Sequence, residues 1–528
     1  MLSRVALALS FTLAAGSAAA QQPAQRTLPS ADFDAYVASA MKAFDAPGAA
    51  IAIVKDGKVV FAKGYGVRKL GSPAPIDAHT LFQIASNTKA FTTASLAMLV
   101  DEGKLKWDDP VTKYLPWFQL SDPYVTRELT VRDLLTHRSG LGLGAGDLLW
   151  LHSNYSRDEI LHRIRYARVA SSFRSRYAYD NVLYVAAGEV LAAASGKPWD
   201  EFVRERILQP LGMTDVLTGV AGLSASANMA SPHSMIDGRQ QVISLDSVDV
   251  IAPAGGLIAS VDDIAKWMIA QLDSGRTGNT RLWSAARTRD MWSGQTILPI
   301  SPPSVPELAP VTPNFSEYGL GWDLQDYRGH KIVTHTGGLG GMTSRTLLVP
   351  GANLGIIMLT NSETPLINVI PFRAMDDMLG TPRLDWTAIR LEASRKARAR
   401  AAGVEAKAAS SRNRDSKPSL PLAGYAGNYN DMMYGDASIV EENGHLVLRF
   451  AHSPEFTADL EHWQYDTFLA HWRTKTIPDA FVTVSLTASG DIDTMKMAAV
   501  SPLADFSYDY QDLLFRPVEK GYSANPPR

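Results

Sequence analysis

The sequence has no cysteine. Disulfides, thiolate metal sites and a cysteine nucleophile are therefore excluded, as is the lipid-bearing cysteine of a lipoprotein. No apolar stretch reaches the roughly 18 uninterrupted residues needed to cross a bilayer core. Charge of one sign is also missing: Lys+Arg 51 against Asp+Glu 54 gives a formal net charge of -3. That leaves no basic field to hold nucleic acid and no acidic excess of the kind seen in disordered chains. The expected partners are small molecules or peptides, with no nucleic acid, no membrane span and no cofactor or metal. What the chain does have is apolar material. At 528 residues and 46% hydrophobic it exceeds one typical domain and can bury a large core, so two or more domains are expected.

The first 20 residues carry one arginine, an apolar stretch from Val5 to Ala15 and the small-residue run Ala18-Ala19-Ala20. This is the pattern of a secretory signal cut after Ala20, and it predicts a periplasmic or secreted protein. Residues 21–31 read as a short N-terminal linker. The stretch Ala49 to Val67 alternates around Asp56-Gly57, a hairpin signal. Three more strand-like runs lie far downstream, in His330 to Gly338 and Ser344 to Asn361. Helical patterns fill the space between. The spacing predicts an α/β (α+β) domain over residues 32–383: one antiparallel sheet built from both ends of the domain, helices packed on it, and a helical insertion. A groove between sheet and insertion is the expected site. Residues 384–418, rich in Ala, Arg, Lys and Ser, read as a helical or partly disordered linker. From 419 to 528 short alternating runs predict a small all-β barrel, lipocalin-like in type, that covers or extends the groove.

Within "FQIASNTKAFT" (82–92), Ser86 and Lys89 are three apart at the predicted start of a helix. Residues at that spacing share a face, so the ammonium lies beside the hydroxyl. A serine needs a neighbour to take its proton, and a lysine serves once burial or nearby charge lowers its pKa. The competing reading is that Ser86 only caps a helix. Two further stretches bear on the choice: Tyr179-Asp180-Asn181 just before a helix, and His335-Thr336-Gly337-Gly338 along a strand. The glycine-rich run Gly140 to Asp147 reads as a flexible loop flanking the groove. His452, His462 and His471 read as surface or packed histidines, because their spacing is unlike a metal signature.

The order Ser-x-x-Lys, then Tyr-x-Asn, then a basic residue followed by Thr-Gly resembles the serine β-lactamase and penicillin-binding protein superfamily, in particular its class C-like branch. "LLTHRSGL" (134–141), "PAGGLIASVDDIAKWM" (253–268) and "YGLGW" (318–322) add to the resemblance, which covers roughly residues 32 to 380. It implies a β-lactamase/transpeptidase-like fold and an acyl-enzyme. Ser86 would be the nucleophile, and Lys89 and Tyr179 would share the proton transfers. Asn181, His335, Thr336 and Gly337 would bind substrate, and the backbone N–H groups of Ser86 and Gly338 would form the oxyanion hole.

The chain departs from the family pattern where lysine is common, having His335 before Thr336-Gly337. A neutral imidazole does not attract a substrate carboxylate as lysine does. The resemblance then points to the D-aminopeptidase and esterase branch. The expected activity is that of a secreted peptidase, amidase or esterase acting on linear or D-residue-containing peptides, linearised microcystin-type peptides among them. The alternatives are a β-lactamase or D-Ala-D-Ala carboxypeptidase, and a non-catalytic peptide-binding or sensor module.

Overall fold

The computed structural model describes residues 32–224 and 227–518. The signal-like residues 1–20 and the linker 21–31 lie outside the described residues. Asp56 and Gly57 both take positive φ, 50° and 74°, the geometry of the two-residue turns that match strand twist. They join β1 (Gly48–Lys55) to β2 (Lys58–Gly66). Ala50, Ala52 and Val54 point to one face of β1 and Ile51 and Ile53 to the other, all buried. The period of two thus makes β1 a central strand covered on both sides.

Further along come β3 (Thr296–Ile297), β4 (Ser316–Tyr318), β5 (Asp323–Tyr327), β6 (His330–Leu339), β7 (Met342–Val349) and β8 (Leu354–Thr360). The sheet order is β2-β1-β8-β7-β6-β5-β4-β3, with antiparallel pairing throughout. The first hairpin therefore joins the last strands, as the sequence predicts. On one face α1 (Phe33–Ala43) and α5 (Ile370–Leu379) pack on Ile51, Ile53, Ile356 and Met358. On the other lie α2 (Thr88–Asp101), α3 (Val182–Ser195) and α4 (Val261–Leu272). Helix α2 is buried at every position from Thr88 to Leu99, so it has no solvent face and serves as the axis of the domain.

The predicted linker is for most of its length one helix, α6 (Trp386–Ser410). Its first residue belongs to the core, with Trp386 Nε1 donating to Asp376 Oδ2 at 2.8 Å and its ring 5.0 Å from Phe372. Just beyond its end, Arg412 lies over the Trp463 ring at 4.5 Å.

The C-terminal part is all-β: β9 (Gly427–Asp431), β10 (Gly435–Glu442), β11 (His445–Phe450), β12 (Ser453–Gln464), β13 (Thr467–Trp472), β14 (Ala480–Leu486), β15 (Ile492–Ala499) and β16 (Arg516–Pro517). They follow one another as a meander, and β16 returns to pair with β9. Met495 and Phe515 exchange backbone hydrogen bonds of 2.9 and 3.0 Å, which nearly closes the sheet into a barrel. Tyr429, Phe456, Phe468 and Trp472 are buried in it. The barrel sits on the helical insertion. Tyr155 stacks on His452 at 4.0 Å, Asn154 N–H donates to the His452 carbonyl at 2.9 Å, and Arg163 donates to the Met433 carbonyl at 3.1 Å.

Candidate active site

Ser86 occupies a single 3-10 turn, Ala85–Asn87, that leads into α2. The residue before it, Ala85, has φ 48°, a left-handed conformation that costs a non-glycine residue about 1–2 kcal/mol. The surroundings impose it. Ile84 N–H donates to the Leu257 carbonyl at 3.0 Å, Ser344 Oγ donates to the Ile84 carbonyl at 2.7 Å, and Asn87 Nδ2 donates to Ser344 Oγ at 2.8 Å. Neither this turn nor α2 has a side-chain cap, so the capping reading of Ser86 is set aside.

Lys89 lies on the next turn. Its Nζ donates to Ser86 Oγ at 3.0 Å, to Asn181 Oδ1 at 2.7 Å and to the Ala254 carbonyl at 3.0 Å. Lys89 is fully buried, and burial pushes its ammonium down to about 7 against the pull of the Asp147 and Asp180 carboxylates. Its Nζ also stands 4.7 Å from the centre of the Tyr179 ring. Burial drives the Tyr179 phenol well above its usual pKa, with Ser86 the neighbour that most offsets this. The two hydroxyls do not meet the geometry of a made hydrogen bond, and Tyr179 Oη has no partner among the described residues. An unpartnered enclosed hydroxyl beside Ser86 is open to hydrogen-bond a group that enters.

His137 is a turn residue with φ 53°. Its ring lies 4.1 Å from that of Tyr179, its Nδ1 accepts from Asp180 N–H at 3.1 Å, and its carbonyl accepts from Ala178 N–H at 2.8 Å. It therefore places Tyr179.

Asn181 is buried, but its carbonyl oxygen is committed to Lys89 and its Nδ2 donates to Asp147 Oδ2 at 2.9 Å. The expected substrate ligand is first an orienter of the lysine, with one Nδ2 proton left over. His335 departs further from expectation. It is 3% exposed, its Nδ1 lies 2.6 Å from the Thr336 carbonyl and its Nε2 2.9 Å from the Tyr318 hydroxyl. A carbonyl only accepts, so Nδ1 carries the proton and Nε2 accepts from Tyr318. Burial, with Lys89 and Arg345 nearby, pushes the imidazole down to about 3. Both nitrogens are used within the protein, and neither faces substrate.

Thr336, half-buried, and exposed Gly338 lie on the same strand. Strand β5 pairs with β6 only as far as Thr334, so from His335 to Leu339 one edge of β6 has no strand beside it among the described residues. Gly337 is required on steric grounds, since a Cβ there would lie 2.2 Å from the Ile84 carbonyl oxygen.

The opposite wall is the glycine-rich loop, and it is held firmly. Asp147, fully buried, accepts from Trp150 Nε1 at 2.7 Å on Oδ1, and on Oδ2 from Asn181 and from Ser507 Oγ at 2.9 Å. Burial raises its carboxyl to about 7. Gly144 N–H donates to the Tyr179 carbonyl at 2.8 Å. Asp509 accepts from Gly146 N–H at 2.9 Å and Leu148 N–H at 3.2 Å, and also from the Tyr434 hydroxyl. The Phe506 ring stands edge-on to Tyr179 at 5.6 Å. Ser507, Asp509, Tyr434 and Phe506 all belong to the β-rich part, which thus builds one side of the site. Sequence reasoning missed Asp147, Tyr318, Phe506 and Ser507. Asp147 ends the glycine-rich run and Tyr318 opens the 318–322 stretch, both already singled out but without a role for either side chain, whereas Phe506 and Ser507 lay in no such stretch. Among the described residues no group of three His, Cys, Asp or Glu is placed to hold a metal ion, and no helix is long and apolar enough to cross a membrane.

Of known families, the model described as Beta-lactamase matches residues 33–370. The chain belongs to the beta-lactamase family. It is a class C-like, metal-independent serine hydrolase of amide or ester bonds. In this family member a second model, a domain of unknown function (DUF3471), matches residues 411–517. The protein is similar to the unguisins hydrolase ungD of Aspergillus violaceofuscus, with 31% identity over 78% of this chain and 76% of that relative. In fold it is similar to the octameric penicillin-binding protein homologue from Pyrococcus abyssi, with a TM-score of 0.59 and 22% identity over 89% of this chain and 98% of that one. It is also similar to the D-amino acid amidase from Ochrobactrum anthropi SV3, with a TM-score of 0.54 and 24% identity over 66% and 98%.

Proposed function

We propose that the groove between the free edge of β6 and Tyr179 takes an extended amide substrate and hydrolyses it through an acyl-enzyme on Ser86. The observation that carries this is the 3.0 Å contact from Lys89 Nζ to Ser86 Oγ, made by a lysine whose pKa burial has brought to about 7. A base near the operating pH combines a useful neutral fraction with proton affinity. Tyr179, held far above its usual range, stays protonated. That divides the shared work: Lys89 is the base and Tyr179 a proton donor. Ser86 Oγ attacks the carbonyl carbon and its proton passes to Lys89. The oxyanion rests on the backbone N–H groups of Ser86 and Gly338. The C–N bond breaks, and the leaving amine takes its proton from Lys89 through the Tyr179 hydroxyl. Water then attacks the acyl carbon, its proton passing to Lys89; the bond from the acyl carbon to Ser86 Oγ breaks, Oγ takes that proton back from Lys89, and the carboxylic acid product leaves. Thr336 and the unpaired β6 edge hold the substrate backbone.

For the substrate, the family model that spans every one of these residues is the beta-lactamase one. It gives β-lactam or D-Ala-D-Ala hydrolysis more support than linear or microcystin-type peptides. The name of the unguisins hydrolase supports hydrolysis of a natural product more generally. The near-closed meander supports a lipocalin-like barrel, but its interior is filled by Tyr429, Phe456 and Trp472. We read it as a module that walls the site. Residues 1–20 are read as an export signal, which a mature N-terminus at Gln21 in secreted protein would bear out.

The test is a panel of nitrocefin, an acyl-D-Ala-D-Ala peptide, D- and L-amino-acid amides, D-residue-containing linear peptides and p-nitrophenyl esters, read by intact-mass detection of the acyl-enzyme. An adduct on wild type that is absent from Ser86→Ala supports the reading. Turnover undiminished in Ser86→Ala rejects it.

A further inference from the structure

We propose that Ser507, a residue of the β-rich part, is a positioning residue for the catalytic base: its hydroxyl fixes the Asp147 carboxylate, which fixes Asn181, which fixes Lys89. This rests on the reading of Lys89 as base. Each link is a made hydrogen bond: Ser507 Oγ to Asp147 Oδ2 at 2.9 Å, Asn181 Nδ2 to the same oxygen at 2.9 Å, and Lys89 Nζ to Asn181 Oδ1 at 2.7 Å. Asn181 can orient the lysine only while its amide is held one way round, because a flipped amide would turn its NH₂ on the ammonium. Asp147 supplies that constraint, being an acceptor that only the NH₂ side can satisfy.

Ser507 is itself fixed from both directions. Its N–H donates to Asp505 Oδ1 at 2.9 Å, and two residues on, Asp509 is anchored by the N–H groups of Gly146 and Leu148. The segment is thus clamped against the loop it serves.

The electrostatics follow the same path. Lys89 faces the carboxylates of Asp147 and Asp180, the imidazoles of His137 and His335, and the rings of Tyr179 and Tyr184. Asp509 lies behind Asp147, with Asp512 beside it. The Ser507 hydrogen bond favours the charged form of Asp147, and charged Asp147 favours the charged form of Lys89. Removing the hydroxyl lets Asp147 hold its proton to higher pH, and Lys89 then loses its proton at lower pH. The same loss frees Asn181. Two signatures are therefore coupled: a slower reaction and an acid limb displaced to lower pH. A merely structural defect would reduce the active fraction and leave the limb where it was.

The experiment uses the full chain as wild type, Ser507→Ala, Ser507→Thr and Ser86→Ala. The rate of covalent labelling by an alkyl fluorophosphonate is followed by intact mass from acid to alkaline pH, with thermal midpoints as the folding control. Ser507→Ala should label about tenfold more slowly, on the scale of one hydrogen bond to a charged group. Its acid limb should lie at lower pH than that of wild type, and Ser507→Thr should restore both. Labelling of Ser507→Ala at the wild-type rate and profile would overturn the proposal. So would slow labelling with an unmoved limb. Labelling that persists in Ser86→Ala, or fails in wild type, would instead overturn the reading of the site on which the proposal stands.

Discussion

The two walls of the groove are held in different ways. The strand wall, His335 to Leu339 on β6, is secured inside the catalytic domain: β7 pairs along its whole length, His335 spends both nitrogens on near neighbours, and Gly337 packs against the turn that carries Ser86. The loop wall, Gly140 to Trp150, is tied to its own domain through Tyr179 and Asn181 but takes further hydrogen bonds from residues 288 to 363 positions away, through Tyr434, Ser507 and Asp509. One wall is complete when its own domain folds. The other is borrowed. Buried polar groups need partners wherever those come from, so a single active site can depend on two folding units to unequal degrees.

The largest expected effect falls on Ser86, the proposed nucleophile. Ser86→Ala should abolish acyl-enzyme formation and phosphonate labelling with little change in thermal midpoint. Residual labelling at another residue would place the chemistry elsewhere.

Next are the proposed proton carriers, both tied to the loop wall, Lys89 through Asn181 and Tyr179 through Gly144: Lys89→Ala and Tyr179→Phe should each lose about 10²–10⁴ in rate. In wild type the neutral amine is the competent form, so kcat/KM should rise as pH passes upward through about 7 and fall on acidification. A limb set instead by an ordinary histidine, and retained in Lys89→Ala, would reassign the base.

Removing residues 419–528 tests the borrowed wall directly. Small-ester hydrolysis is expected to drop by about ten- to a hundredfold, because Asp147 loses its Ser507 partner and the Gly146 and Leu148 N–H groups lose Asp509. Full ester activity in a folded truncation would show that the loop holds itself.

A glycine in each wall sharpens the contrast. A Cβ at Gly337 would meet the Ile84 carbonyl oxygen at 2.2 Å, and one at Gly144, where φ is +73°, would meet the Phe506 carbonyl oxygen at 2.6 Å. Gly337→Ala should destabilise the catalytic domain by about 1–3 kcal/mol. Gly144→Ala should chiefly loosen the β-rich part, seen as faster proteolysis between the two units at nearly unchanged catalytic-domain stability. Equal global losses would erase the distinction.

The smallest effect concerns His335→Lys. The sequence pattern predicts a gain for carboxylate-bearing substrates. With the native ring turned to Tyr318 and Thr336, the ratio of kcat/KM for an acid to that for its amide should stay flat. A rise would mean that this side chain reaches the groove after all.

What could be read from the sequence follows from distance along the chain. Ser86 and Lys89 are one helical turn apart, so local periodicity brings them together, whereas Tyr179 at a helix entry gained its role only from the resemblance to the family pattern. The hairpin at Asp56-Gly57 is legible because its turn chemistry is local. Asp147 and Ser507 carry no such signal, since an aspartate after a glycine loop and a serine in a β-rich tail acquire meaning only when the fold brings them together. His335 was placed on the right strand, but a strand pattern does not say which group satisfies each ring nitrogen. The stretch from 384 was read as a connector by its lack of large apolar residues; the single Trp386 that roots α6 in the core was too sparse a pattern to show it.

The span of the site along the chain has a consequence for biosynthesis. Its first chemical group is residue 86 and its last contacts are Phe506, Ser507 and Asp509. A nascent chain emerging from its N-terminus has nucleophile, base and strand edge in hand while the tail is still being made. The candidate site of the hydrolase then matures late: its loop wall waits for residues 506–509, and a product ended before them keeps Ser86 and Lys89 without the contacts that hold that loop.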